Sequence, residues 1–293
     1  MAVVYPDQFL GVPRVAADAA EVVVLPLPFE KTVSYGTGTW RAPRAIIDAS
    51  CQIELFDEET EVDFSEGPLI CTARAVLSDT EERPEEYLRR VREYVSSFRG
   101  RFVLALGGEH TVTYGVAMGL LASPRSSTIV HIDAHGDLLE SLDGERWAHG
   151  TVMKRMVDEG CHLIQIGVRS LSRQEHEFIR ANDRVSTYLA HDLDSRWHEM
   201  AERLGALTGE VYLSIDVDGL DPSVVPSTGT PQPGGLGWRQ VIDIIRRVSG
   251  STRSRLVGAD VVELVASPHP PGCDIVVARL AAKILAFWAR GHA

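Results

Sequence analysis

Cysteine is sparse in this chain, with four in 293 residues (Cys51, Cys71, Cys161 and Cys273), far apart and forming no C-x-x-C pair. That excludes a zinc ribbon or a thioredoxin-like redox motif, and a disulfide framework is not expected at this length. Reduced, structural cysteines in a cytoplasmic protein are the expectation. Positive charge is also in short supply: 29 Lys and Arg stand against 41 Asp and Glu, a net charge of −12. No basic face for phosphates follows, so nucleic acid is not an expected partner. The acidic balance reads mainly as a solvated surface, with a mild leaning towards cationic small molecules. No run approaches the ~18 apolar residues of a membrane helix, so no membrane partner is expected. The opening MAVVYPDQFLGVPRVAADAAE lacks the basic-then-apolar pattern of a signal peptide.

What the chain does have is an ordinary globular composition, 44% hydrophobic and 24% charged, enough to bury a sizeable core. Short β-branched runs recur: EVVVLPL, RFVLALGG, STIVHID, HLIQIGV, EVYLSID and RLVGADVVEL. Between them lie segments of helical period. In RPEEYLRRVREYVSSFR (83–99), Pro84 suits a helix start and Gly100 its end. Alternating strands and helices predict a mostly parallel sheet covered on both faces. Neither an internal repeat nor a low-complexity linker is visible. Residues 1–293 therefore read as one domain, and the Pro/Gly-rich stretch at 226–237 as a site-forming loop.

The stretch HIDAHGDL (131–138) places Asp133, His135 and Asp137 at alternate positions where a core strand ends. In an extended chain those side chains project together. EVYLSIDVDGLDPS (210–223) repeats the device with Asp216 and Asp218; RFVLALGG runs into Glu109 and His110; RLVGADVVEL delivers Asp260 and Glu263. Ligands of open α/β sheets bind outside the carboxyl ends of the strands, so these groups are expected to converge on one crevice.

Charge decides what the crevice holds. Ionised aspartates within ~4 Å repel by ~4 kcal/mol per pair at an effective dielectric of ~20. No lysine or arginine within the motifs offsets this. Two divalent cations supply the charge that balances Asp133, Asp137, Asp216 and Asp218, with His110 and His135 as neutral imidazole ligands. A carboxylate-rich set without thiolate suits Mn²⁺ or a similar hard ion.

The motifs GGEHT (107–111), HIDAHGD (131–137), SIDVDGLDPS (214–223), STGTPQPGGL (227–236) and DVVEL (260–264) resemble those of the ureohydrolase (arginase/agmatinase) family, in its order and spacing. Residues 22–50 resemble the agmatinase-type opening. The resemblance implies an arginase/deacetylase-like α/β fold, three-layer α/β/α, with a mostly parallel sheet of about eight strands. It implies two Mn²⁺ per subunit: one held by His110, Asp133, Asp137 and Asp216, the other by Asp133, His135, Asp216 and Asp218. It also implies that Glu263 pairs with a substrate guanidinium, that His149 in AHGT shuttles protons, and that the chain forms a homo-oligomer, a trimer or hexamer. Three departures stand out: Gly136 stands where threonine or alanine is commoner, Glu109 replaces a frequent aspartate, and LVASPHPPG follows Glu263 where Asn-Pro is common.

The chemistry so implied is physically coherent. A delocalised guanidinium is a poor electrophile, and water polarised by two cations can lose a proton near neutral pH. Asp137 would hydrogen-bond the nucleophile, Glu263 would orient the guanidinium, and His149 would relay a proton to the leaving amine. The substrate is expected to be a small cationic guanidino compound. Agmatine or a longer guanidino-amine is favoured over guanidinobutyrate, arginine or formimidoylglutamate. Arginine-specific relatives carry an SGN-like segment before HG, whereas here LLESLDGERWAH (138–149) brings Glu140, Asp143 and Glu145 against Arg146, with Trp147 to cover a methylene chain. A one-zinc deacetylase and a non-catalytic metal-binding regulator are the competing classes. His131 shares the parity of Asp133 and His135 and could be a ligand, but reads rather as a support or packing residue. Asp260 reads either as a support behind the ligands or as a cap at its strand end, and Asp221 as a turn residue. Arg169 reads either as a brace for the ligand loop or as a partner for an acid across a subunit contact.

Overall fold

The computed structural model describes residues 7–266 and 272–292. The β-branched runs form strands β1 (Val22–Leu27), β5 (Phe102–Gly107), β6 (Thr128–Ile132), β7 (His162–Val168), β9 (Gly209–Asp216) and β10 (Ser254–Val262). Two further strands complete the sheet, β4 (Ile70–Thr72) and β8 (Val185–Leu189), and a small hairpin pairs β2 (Phe56–Asp57) with β3 (Val62–Asp63). The main sheet has eight strands in the order β4-β1-β5-β10-β9-β6-β7-β8, every neighbour parallel. The helices are α1 (Ala42–Ser50), α2 (Pro84–Ser96), α3 (Val112–Leu120), α4 (Val152–Asp158), α5 (Arg173–Ala181), α6 (Leu193–Gly205), α7 (Trp238–Ser249) and α8 (Cys273–Arg290).

Strand periodicity sorts the core into two halves. Val22 and Val24 pack with α1, α6, α7 and α8, while Val23, Leu25 and Leu27 pack with α2, α3 and α4. The same alternation runs along β5, β9 and β10, which gives the three-layer α/β/α arrangement that the sequence implies. The helices bury one face each. In α2, Tyr87, Leu88, Val91 and Val95 are buried, Pro84 occupies the first turn, and Glu86 reaches back to the Arg83 amide.

Four adjacent strands, β5, β10, β9 and β6, end in His110, Glu263, Asp216 and Asp133 or in the residues just before them. The crevice is therefore set by topology. Its near wall is the segment after β1, held to the end of β5 by the Gly108 and Glu109 amides, which donate to the Leu27 and Phe29 carbonyls. A β-carbon at Gly108 would lie 2.1 Å from the Phe29 carbonyl oxygen, so only glycine permits this approach. Gly108→Ala is expected to destabilise the protein by about 1–3 kcal/mol through overpacking. Urea unfolding measures it, and an unchanged midpoint would show that the two segments separate freely.

Candidate metal centre

β6 ends at Ile132, the chain bends at Ala134 so that the His135 amide donates to Asp133 Oδ1, and Asp137 then adopts a left-handed conformation (φ 52°). The turn swings the Asp137 carboxylate back to the ring of His110, on the loop after β5. His110 Nδ1 lies 3.0 Å from Asp137 Oδ2, 3.2 Å from Asp133 Oδ2 and 3.3 Å from Asp216 Oδ2. Alongside, His135 Nδ1 lies 3.1 Å from Asp218 Oδ2 and 3.5 Å from Asp133 Oδ1. Asp133 thus turns one oxygen to each group, the placement a bridging carboxylate needs. The six positions that the sequence singles out as ligands are brought together, and all but the half-buried His135 are buried.

The protonation pattern follows from this crowding. Burial opposes charge on His110, but Asp133, Asp137 and Asp216 outweigh it and hold the imidazole well above its usual range. Burial likewise opposes charge on His135, while Asp133 and Asp218 push it up to about 12. Burial alone would raise Asp133, yet His131, His110 and His135 hold it well below the usual carboxylate range. Asp216 and Asp218 are raised by burial and by neighbouring carboxylates. Protons thus do the balancing in the ion-free chain. Buried His110 Nδ1 has no hydrogen-bond partner despite the three carboxylates around it. An orphaned ring nitrogen among carboxylate oxygens, with no thiol nearby, fits a pair of hard divalent cations.

Behind these residues lies a polar layer. His131 Nε2 is 2.8 Å from Asp133 Oδ2, its Nδ1 is 3.1 Å from Gln165 Nε2, and Gln165 Oε1 accepts from Thr187. Arg169 donates to the carbonyls of Asp218, Leu220 and Gln232, so it braces the ligand loop within its own chain. Asp221 accepts from the amides of Ser223, Gly234 and Gly235, as a turn residue does, and these bonds hold its carboxyl at about 2. Glu109, the departure from the family pattern, accepts from the Lys31 and Thr32 amides and from the Thr32 hydroxyl, tying the segment after β1 to the metal loop. Gln165, Ser214 and Thr32 escape sequence reasoning. Each is a common residue whose only signal is strand register or proximity after folding.

A cavity of about 190 Å³ opens over the cluster. Glu263, with a left-handed backbone (φ 65°), accepts the His110 amide on Oε1 at 2.6 Å and lines the cavity floor. Burial, and then the charge of Glu109, raise its carboxyl well above the usual range. His149 lies at the mouth, its Nε2 3.1 Å from the exposed Ser34 hydroxyl and its Nδ1 3.3 Å from Thr32 Oγ1.

The loop 138–149 does not read substrate charge as the sequence suggests. Glu140 is paired with Lys154, Arg155 and Arg146. Glu145 accepts the Trp147 amide, and the Trp147 ring stacks edge-on against Tyr114, away from the cavity. From this loop only Leu139, Leu142 and His149 line the cavity with side chains. Local cations neutralise Glu140, and the indole finds apolar cover. Of the segment after Glu263 that departs from the family pattern, residues 267–271 lie outside the described residues.

A parallel eight-stranded sheet that gathers aspartates and histidines at its carboxyl edge is the architecture of a metal-dependent hydrolase. Residues 20–287 match the model of the arginase family, and the chain belongs to that family. An N(1)-aminopropylagmatine ureohydrolase of Synechocystis sp. is 33% identical over 293 residues, 97% of this chain and 94% of that protein. A Thermus thermophilus protein of the same name is 35% identical over 254 residues, covering 84% of this chain and 83% of its own. Among solved structures, agmatine ureohydrolase of Thermoplasma volcanium aligns with a TM-score of 0.83 at 29% identity, covering 95% of this chain and 93% of that one. The protein is accordingly a ureohydrolase, an enzyme that acts on guanidino compounds.

Because His110 and His135 hold protons that a cation must displace, metal uptake should release protons and tighten as pH rises. The expected slope is roughly tenfold in affinity per pH unit for each proton released. Calorimetric titration in buffers of differing ionisation enthalpy measures both quantities. Affinity independent of pH between 6 and 9 would contradict the assignment of those protons.

Proposed function

We propose that this ureohydrolase is a binuclear manganese enzyme that cleaves agmatine or a longer guanidino-amine, releasing urea and an amine. The observation that carries the substrate class is the cavity lining. Among the described residues no lysine or arginine lines it, while Glu175 and Glu263 do, beyond the aspartates of the cluster. A carboxylate-tailed guanidine such as arginine or guanidinobutyrate finds no cationic partner there. An amine tail finds Glu175, a buried side chain whose carboxylate already accepts the Leu138 and Ser172 amides. Leu139, Leu142 and Val33 supply apolar wall for the methylenes between the two charged ends. The names of the Synechocystis and Thermus relatives point the same way.

In this reading His110, Asp133, Asp137 and Asp216 would hold one Mn²⁺, and Asp133, His135, Asp216 and Asp218 the other. When bound, the ions would lower the pKa of water towards neutrality and so supply the nucleophile's chemistry. Asp137 would accept a hydrogen bond from the attacking water and orient it. Glu263 pairs with the guanidinium, its plane fixed by the His110 amide. An arriving guanidinium also restores the ionised form that burial disfavours. His149 stands between the cavity and an exposed hydroxyl, where a proton passes from solvent to the leaving nitrogen.

Two measurements test the reading. Urea release by the Mn²⁺-loaded protein should favour agmatine or aminopropylagmatine over arginine and guanidinobutyrate by tenfold or more in kcat/KM, about 1.4 kcal/mol. A lead for either carboxylate-tailed compound overturns the substrate class. His149→Ala should lower kcat by roughly 10²–10³, with partial rescue by added imidazole. An unchanged kcat removes His149 from the chemistry.

A further inference from the structure

His110 meets the cluster through Nδ1, and its other nitrogen faces a chain of buried hydroxyls. Nε2 lies 2.8 Å from Ser214 Oγ. Ser214 donates to Asp260 Oδ1 at 2.7 Å, and the Tyr212 hydroxyl donates to Asp260 Oδ2 at 2.7 Å. Asp260 and Tyr212 are each wholly buried. A serine hydroxyl has a single proton, and here it is committed to the carboxylate. Ser214 Oγ can therefore only accept from His110, which keeps a proton on Nε2 and leaves Nδ1 as the nitrogen that gives up its proton to a cation. That is the orphaned atom facing Asp133, Asp137 and Asp216.

We infer that Asp260 and Tyr212 are positioning residues that fix the tautomer of His110 and thereby the affinity of the first of the two cations. The inference rests on the metal-centre reading above. The fold builds this relay deliberately. Ser214 on β9 lies in register with Asp260 on β10, and Tyr212 lies in register with Gly258. The missing side chain of Gly258 lets the tyrosine ring lie across β10, since a β-carbon there would come within 3.3 Å of Tyr212 Cε2 and 2.8 Å of the Val103 carbonyl oxygen. For packing alone, phenylalanine and an aliphatic residue would fill the same space without the cost of burying a carboxylate. The contact that such a pair cannot replace is the one reaching His110.

Asparagine at position 260 reverses the relay. Its amide donates to Ser214, freeing the serine proton for His110 Nε2 and moving the ring proton to Nδ1. Metal-free wild type, Asp260→Asn, Tyr212→Phe, Ser214→Ala and Ser214→Thr are titrated with Mn²⁺ by calorimetry, with melting temperatures recorded alongside. Asp260→Asn is expected to weaken one ion by about 10–100-fold and to leave the other within about threefold. Tyr212→Phe and Ser214→Ala should weaken the same ion by less, and Ser214→Thr should retain wild-type affinity. Should Asp260→Asn fail to fold, Tyr212→Phe and Ser214→Ala against Ser214→Thr decide the matter. The inference is overturned if Asp260→Asn binds both ions like wild type, if Ser214→Thr is as weak as Ser214→Ala, or if both ions weaken together in step with melting temperature. A wild-type chain that binds no ion overturns the metal-centre reading as well, whereas two tight ions with an indifferent Asp260→Asn overturn the relay alone.

Discussion

Repulsion among buried carboxylates is the constraint on which the rest depends. Asp133, Asp137, Asp216 and Asp218 end adjacent strands within one crevice, and among the described residues no lysine or arginine side chain makes an ion pair with any of them. Folding brings like charges into a low-dielectric site and leaves them to be neutralised by protons or by cations. The chemistry of a ureohydrolase uses that deficit. A site proposed to attract two dications and a guanidinium has to be built electron-rich and kept rigid while empty.

Rigidity comes from the sheet. The parallel strands carry the ligands at their carboxyl ends, and one row deeper they carry a line of buried polar residues. Thr187, Gln165, His131, Ser214 and Asp260 occupy matched registers across five neighbouring strands. His110 and Asp133 are therefore each backed by a hydrogen-bonding side chain one pleat below, Ser214 and His131. Arg169 and Glu109 do the same for the loops, one gripping backbone carbonyls and the other backbone amides. Ligands that repel one another are held by partners anchored to the core.

Much of this was legible in the sequence, and what was not follows a pattern. The six long β-branched runs are interior strands or pair with interior strands, so burial on both faces marks them as continuous apolar segments. The strands that escaped notice, β4 and β8, form the two edges of the sheet. The first has three residues, and the second, VSTYL, is buried only at Val185 and Tyr188. Ligand motifs were legible because carboxylates after an apolar run are costly without a purpose. Loop 138–149 misled because a string of acids says nothing of where each side chain turns, and Lys154 and Arg155 on α4 claim Glu140. Glu175 gave no warning either, since a glutamate in the first turn of a helix reads as a capping residue, which it also is.

Strand order carries a consequence for how the molecule comes into being. β10 is the last strand in the chain, yet it lies between β5 and β9. Without it the sheet would divide into two leaves: β4, β1 and β5 in one, β9, β6, β7 and β8 in the other. Asp133, His135, Asp137, Asp216 and Asp218 all follow strands of the second leaf, while His110 alone follows a strand of the first. Insertion of the C-terminal strand closes a gap of long sequence separation. The same event delivers Glu263, so the group that would meet the substrate enters only when the two leaves are joined.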